Sequence, residues 1–179
     1  MNDPLEAYQQ LIEKLDNFFS QANSKYKADM DCCSGCDDCC QRDLWLYPFE
    51  VARLIEGFSE LAADCQKRIT KRAQEAQLST EAACPFLEEG CCLVYNLRPI
   101  ICRTHGLAML IPGTHELSVC PRNFLKVEHI DGDCVLDLTP VNQILATVND
   151  LVCRDARASN QRVRVSQAIL QTGQEESRP

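Results

Sequence analysis

Between Met30 and Asp43 the chain carries five cysteines, four aspartates and one glycine, with no apolar periodicity. A segment of this kind cannot build a hydrophobic core, so something else must order it. Its centre, Cys33-Ser34-Gly35-Cys36-Asp37-Asp38-Cys39-Cys40, sets cysteines three positions apart. Such spacing around small residues lets a tight turn aim two sulfurs at one ion, and Gly35 supplies the conformational freedom for that turn. Zinc ribbons and iron–sulfur proteins both use it. Cys40 is harder to place on the same ion. Adjacent α-carbons are only about 3.8 Å apart, and extended side chains point to opposite sides. Neighbouring cysteines are therefore expected to serve two centres, or one centre and a packing role.

A second group follows in Cys84-Pro85-Phe86-Leu87, Cys91-Cys92, Cys102 and Cys120. These separations are too long for a self-contained finger, but they suit closing sites begun by the first group. Four thiolates make a closed structural zinc site. The eight ligands Cys33, Cys36, Cys39, Cys40, Cys84, Cys92, Cys102 and Cys120 suffice for two zinc ions, or for an iron–sulfur cluster such as 4Fe-4S plus one zinc. Cys33, Cys36 and Cys39 share the register with which bacterial ferredoxins hold a cubane. Zinc and iron both accept four thiolates, so the choice between them stays open.

The whole chain has 13 cysteines in 179 residues, an odd number. In a short secreted chain they would read as a disulfide framework. Here Met1-Asn2-Asp3-Pro4-Leu5-Glu6 lacks the basic stretch and apolar run of a secretory signal, and no segment approaches the length of a membrane span. A cytoplasmic location and no membrane partner are expected, with the cysteines as metal ligands. The formal net charge of −8 argues against nucleic acid as a partner.

The rest of the chain predicts a mainly α, small helical domain with irregular cysteine-rich metal-binding segments and one short β-hairpin. Asp3-Pro4 is a cap followed by a first-turn proline, and Leu5, Tyr8, Leu11, Ile12, Leu15, Phe18 and Phe19 continue an amphipathic helix to about Ser24. Pro48 opens a second helix that runs to Gly57, and Ser59 caps a third whose apolar face includes Leu61, Ala62, Cys65, Ile69 and Ala76. Lys67, Arg68, Lys71 and Arg72 on that helix read as a solvated face. Pro85, Pro99, Pro112 and Pro121 disfavour a long helix over 84–122. Val127–Ile130, Asp131-Gly132 and Val135–Leu138 read as a type I′ hairpin. Thr139-Pro140 starts a last helix with Val141, Ile144, Leu145, Val148, Leu151 and Val152 on its apolar face. One domain is expected over 1–179, its cysteine-cluster region over about 30–152, with 172–179 a disordered tail.

Cys65, Cys134 and Cys153 read as core residues, since free cysteine packs like a small hydrophobe. His105, three residues after Cys102, is a candidate ligand or a hydrogen-bonding neighbour of the site. Arg98 and Arg103 flank Cys102 and either donate to thiolates or form ordinary ion pairs. No Ser-His-Asp set, Walker loop or Rossmann fingerprint is present. No strand–helix pattern flanks the C-x2-C pair as in a thioredoxin-like site.

The ordered motifs Cys33-x2-Cys36-x2-Cys39-Cys40, Cys84-Pro85-Phe86-Leu87 and Cys92-Leu93-Val94-Tyr95-Asn96-Leu97-Arg98-Pro99-Ile100-Ile101-Cys102-Arg103 resemble those of the YkgJ-type cysteine-cluster family. Val135-Leu136-Asp137-Leu138 and the helix after it are similar too, so the resemblance spans roughly 30–152. It implies chelation of zinc or iron by the clustered cysteines. Cys32 and Cys91 depart from the pattern by creating extra doublets; register favours Cys33 and Cys92. Flagellin lysine methylases carry a similar cluster, but no S-adenosylmethionine motif is found here. A metal-binding module is the leading expectation, with an iron–sulfur redox enzyme or methyltransferase-related accessory protein, and a thiol-based metal carrier or sensor, as alternatives.

Overall fold

Asp3 starts the first helix as the sequence predicts. Its carboxylate accepts from the Leu5 amide at 3.0 Å, and α1 spans Pro4–Lys25 with Tyr8, Leu11, Ile12, Leu15 and Ala22 buried. The computed structural model describes residues 3–33, 35–79, 81–153 and 161–175. They fall into two compact units, Met1–Cys33 with Ile100–Val152, and Ser34–Pro99 with Cys153–Pro179. Among the described residues no helix is long and apolar enough to cross a membrane. The chain is mainly helical, with few and short strands.

In the first unit α1 packs against α4 (Ile100–Thr104) and α5 (Leu138–Val152). Beside them lies a small sheet in the order β5–β4–β6, where β4 is Ala108–Leu110, β5 Leu117–Ser118 and β6 Val135–Asp137. β4 runs antiparallel to β5 and parallel to β6, with Met109 opposite Leu136. The hairpin expected over 127–138 is therefore not formed: Val135–Asp137 pairs with β4 instead. Asp131-Gly132 leads into a 3-10 turn over Gly132–Cys134 rather than a I′ turn. Val127 and Ile130 are drawn off to pack on the buried Met30, Ala108 and Phe124. α5 is capped by the Asp137 carboxylate, which accepts from the Thr139 amide at 2.7 Å, and not by Thr139. Its buried face is Val141, Leu145, Val148 and Asn149, whereas Ile144 and Leu151 are exposed.

The second unit is built around Leu46, Val51, Leu54, Phe58, Ile69, Ala73, Phe86 and Val94, joined by Val165, Ala168 and Ile169. Its helices are α2 (Pro48–Ser59), α3 (Ala63–Gln77) and α6 (Val165–Glu175), and α6 packs against both others. α2 continues through Gly57, where a Cβ would overlap Leu97 Cδ1, so the glycine serves close packing rather than termination. Ser59 ends α2, its hydroxyl donating to the Ile55 carbonyl at 2.9 Å, and Ala62 precedes α3. β1 (Trp45–Leu46) pairs antiparallel with β7 (Val163–Arg164). β2 (Leu87–Glu88) and β3 (Cys91–Cys92) form a hairpin across Glu89 and Gly90, both at positive φ of 50° and 75°, the conformation a I′ turn demands.

α6 is a helix that the polar sequence after Ala158 conceals. Val165, Ala168 and Ile169 are buried in the core with Leu170 packed beside them, and its first turn is anchored from outside: the Ser166 amide donates to Asp43 Oδ1 at 3.1 Å. It includes Thr172 and ends at Glu175; the rest of the expected tail, 176–179, lies outside the described residues. Arg68 and Arg72 of the basic run both reach Glu88, at 2.9 and 2.8 Å, and only Lys67 and Lys71 stay on a solvated face.

Candidate metal centre

The second unit holds Cys36, Cys39, Cys40, Cys84 and Cys92. Gly35, at φ +90°, turns the chain ahead of Cys36. Asp38–Cys40 then forms a single 3-10 turn, closed by the Cys40 amide donating to the Asp37 carbonyl at 2.7 Å. Successive side chains on such a turn lie about 120° apart rather than on opposite sides. Cys39 Sγ and Cys40 Sγ consequently stand 3.9 Å apart. Divergence of adjacent cysteines holds for an extended chain, and this segment is not extended. Two thiolates on one tetrahedral ion with bonds of about 2.3 Å would sit about 3.8 Å apart. Cys39 and Cys40 thus have the sulfur spacing of two thiolates on one ion.

The two cysteine-rich stretches meet in this unit. The Cys84 amide donates to the Cys40 carbonyl at 2.8 Å, and a Cβ on Gly90 would lie 3.4 Å from the Gly35 carbonyl oxygen. Cys84 is fixed by a turn in which the Leu87 amide donates to its carbonyl at 2.9 Å, and Phe86 beside it is buried in the core. Cys92 packs inward against the same core while Cys91 is exposed.

Burial pushes the Cys84 thiol up to about 12, against the pull of the Phe86 amide aimed at its sulfur. Cys92 is also raised, by burial first, while the Val94 amide and the Arg98 cation pull the other way. Cys39 is raised by its contact with the Cys40 thiol and then by burial; Arg98 again opposes the shift. Arg98 is held over the Tyr95 ring, 3.5 Å from its centroid. These sulfurs resist ionising together unless a cation arrives, and a bound cation inverts that preference. The backbone amides aimed at Cys84 and Cys92 favour the thiolate form. Among the described residues no three His, Cys, Asp or Glu side chains are grouped so as to hold an ion.

The first unit holds Cys33, Cys102 and Cys120 together with Cys32. Cys33 is exposed, Cys102 is half-buried in α4, and Cys120 is half-buried before Pro121. Cys32 is half-buried, and its sulfur accepts from Asn123 Nδ2 at 3.3 Å. Asn123 is only 2% exposed and carries no motif that marks it in the sequence. His105 is exposed. Arg103 is buried and donates to Asp16 at 2.7 Å. Cys65 lies on α3 against the apolar core, and Cys134 is buried.

Residues 31–135 match the CxxCxxCC family, described as a "Putative zinc- or iron-chelating domain". No curated protein and no solved structure matches the chain.

Proposed function

The chain belongs to the CxxCxxCC family, and from that premise we propose that its second unit chelates one zinc or iron ion through Cys39, Cys40, Cys84 and Cys92. The carrying observation is the 3.9 Å between the sulfurs of Cys39 and Cys40. In a cubane each cysteine binds a different iron, so its ligand sulfurs stand farther apart than the two thiolates of one tetrahedral ion. Cys84, whose amide donates to the Cys40 carbonyl, and Cys92, whose thiol feels the Cys39 sulfur, are the third and fourth thiolates of this reading. Four thiolates around a divalent ion carry a net charge of −2, which the Arg98 cation offsets.

Cys36, three residues before Cys39, belongs to the same unit. In the first unit Cys33, Cys102 and Cys120 are the further thiolates. A closed four-thiolate site leaves no open position for a substrate, which favours a structural or stored ion over catalysis. Many reduced cysteines call for a reducing compartment, in keeping with the cytoplasm.

Anaerobic purification, elemental analysis and an assay for acid-labile sulfide test this reading. Zinc or iron without inorganic sulfide is the expected result, with metal lost in Cys39→Ser and Cys40→Ser alike. Stoichiometric sulfide would replace the single ion with a cluster, and a metal-free protein would end the proposal.

A further inference from the structure

Arg72 of α3 carries a buried donor with no acceptor. Its Nε donates to the Pro85 carbonyl at 2.8 Å and its Nη1 to Glu88 Oε2 at 2.8 Å. Its Nη2 is buried and meets no hydrogen-bond partner among the described residues. Buried polar groups in native proteins are paired as a rule, so an orphaned, permanently charged donor calls for an acceptor. The guanidinium is planar, and Nε and Nη2 are the two prongs of one edge. Arg68 lays that same edge on both oxygens of Glu88. In Arg72 the Nε prong is taken by the Pro85 carbonyl, which leaves the Nη2 prong beside the Cys84-Pro85 segment. The Arg72 cation pulls the Cys84 thiol down, against the rise that burial imposes.

Resting on the reading that the second unit chelates an ion through Cys39, Cys40, Cys84 and Cys92, we infer that Arg72 is a positioning residue of that centre, its Nη2 donating to the Cys84 thiolate. An N–H on a sulfur favours the thiolate over the thiol. A side-chain donor that orients a ligand and tunes its basicity is what metal sites use around their first ring of atoms. Charge points the same way. Four thiolates on a divalent ion leave two negative charges, and Arg98 offsets one. Arg68 and Arg72 share the single carboxylate of Glu88, at 2.9 and 2.8 Å, so the trio keeps one positive charge in surplus. Arg72 brings that surplus to the side of Cys84.

The test is reconstitution with cobalt(II), whose thiolate-to-metal charge-transfer absorbance grows with the number of sulfurs on the ion. Wild type, Arg72→Gln and Glu88→Gln are compared at equal helical far-UV circular dichroism. Both variants break the ion pair that ties the β2–β3 hairpin to α3, but only Arg72→Gln removes the donor. Arg72→Gln is expected to keep the thiolate count, shift the band and weaken cobalt affinity about 10- to 100-fold. Glu88→Gln is expected to bind cobalt as wild type does. Equal losses in the two variants, or no loss in Arg72→Gln, overturn the role of Arg72. In a Cys84→Ser background the effect of Arg72→Gln should vanish, and a loss of the same size there overturns the link to Cys84. A wild type without any thiolate band instead refutes chelation itself.

If Arg72→Gln does not fold, Arg72→Lys decides. Lysine keeps the cation but cannot hold the Pro85 carbonyl and the Cys84 sulfur with one planar edge. A shifted band with a smaller loss of affinity is expected, and an unshifted band with full affinity overturns the inference.

Discussion

The Cys84 amide donates to the Cys40 carbonyl at 2.8 Å, so a residue of the second cysteine-rich stretch is bound to the last cysteine of the first. This contact is made by backbone, so it does not depend on the state of the thiols. It sets Cys84 beside the 3-10 turn that brings Cys39 and Cys40 together. The apolar core of the same unit, through Phe86 and Val94, anchors the chain on both sides of the hairpin that carries Cys92.

Cys65 provides a control within that unit. It packs against the core from α3, remote in role from the proposed ligands. Cys65→Ala should leave metal per chain unchanged and lower unfolding stability by about 1 kcal/mol. Elemental analysis beside a urea titration checks this; lost metal with the fold intact would mean that the α3 face has been misread.

Glu88 ties the Cys91-Cys92 hairpin to α3. Arg68 and then Arg72 hold its carboxyl down at about 2, from an ordinary 4.5. A depressed carboxylate contributes stability that is present above the unfolded value and lost as pH falls through the folded one. In metal-free protein Glu88→Gln should therefore have a lower urea midpoint than wild type at pH 7. The gap should close as pH falls from about 4.5 toward 2. A gap of constant size over that range would contradict the ion-pair origin.

Asp43 is fully buried three residues after Cys40. It faces Arg164 Nε at 3.1 Å and accepts from the Ser166 amide and hydroxyl. Asp43→Ala would leave the first turn of α6 without its acceptor and the mostly buried Arg164 guanidinium without its carboxylate, with the Ala76 and Ser79 carbonyls as its remaining acceptors. A loss of about 3–5 kcal/mol is expected, against about 1–3 kcal/mol for Ser166→Ala. Chemical denaturation of both variants reads the order; equal losses would show that the charge pair with Arg164 is not what matters.

Glu89 is the unusual residue of the β2–β3 turn, since its φ of 50° is one that asparagine tolerates far better. Glu89→Asn should stabilise the hairpin by on the order of 0.5–1 kcal/mol, part of the roughly 1–2 kcal/mol left-handed penalty. A calorimetric midpoint at or below that of wild type would refute this.

Much of this architecture is written locally. Asp3-Pro4 and Pro48 mark helix starts because caps and first-turn prolines act within one turn of chain, and the cysteine spacing announces a ligand cluster. What is not legible depends on distant partners. The start of α6 rests on Asp43, more than a hundred residues earlier. Val135–Asp137 pairs in parallel with β4, a partner more than twenty residues away, rather than across the nearby Asp131-Gly132. The convergence of Cys39 and Cys40 follows from a 3-10 turn that no periodicity reveals. Asn123 sits in a Cys-Pro-Arg-Asn turn with no motif to mark it, and only its burial exposes its importance.

Metal and fold should be linked in the cysteine-rich segments, though not uniformly. Ordering a residue costs roughly 1–2 kcal/mol in backbone entropy, and the stretch 31–42 has no buried apolar side chain to offset it. A structural zinc supplies about 10–16 kcal/mol in peptide systems, enough to decide whether such a loop is ordered. The 84–94 stretch is different, because Phe86 and Val94 are buried in the core of the second unit. The 111–122 stretch returns to the first pattern, with Pro112–Leu117 exposed throughout. Chelation under reducing conditions should therefore leave α1, α2, α3 and α5 helical while opening 31–42 and 111–122. Proteinase K with mass mapping should place the first new cuts there, and later cuts in 84–94. Far-UV circular dichroism should fall only in part. Identical cleavage before and after confirmed metal removal would show that the ion does not order these loops, and early cleavage within 84–94 would show that the core does not hold that segment.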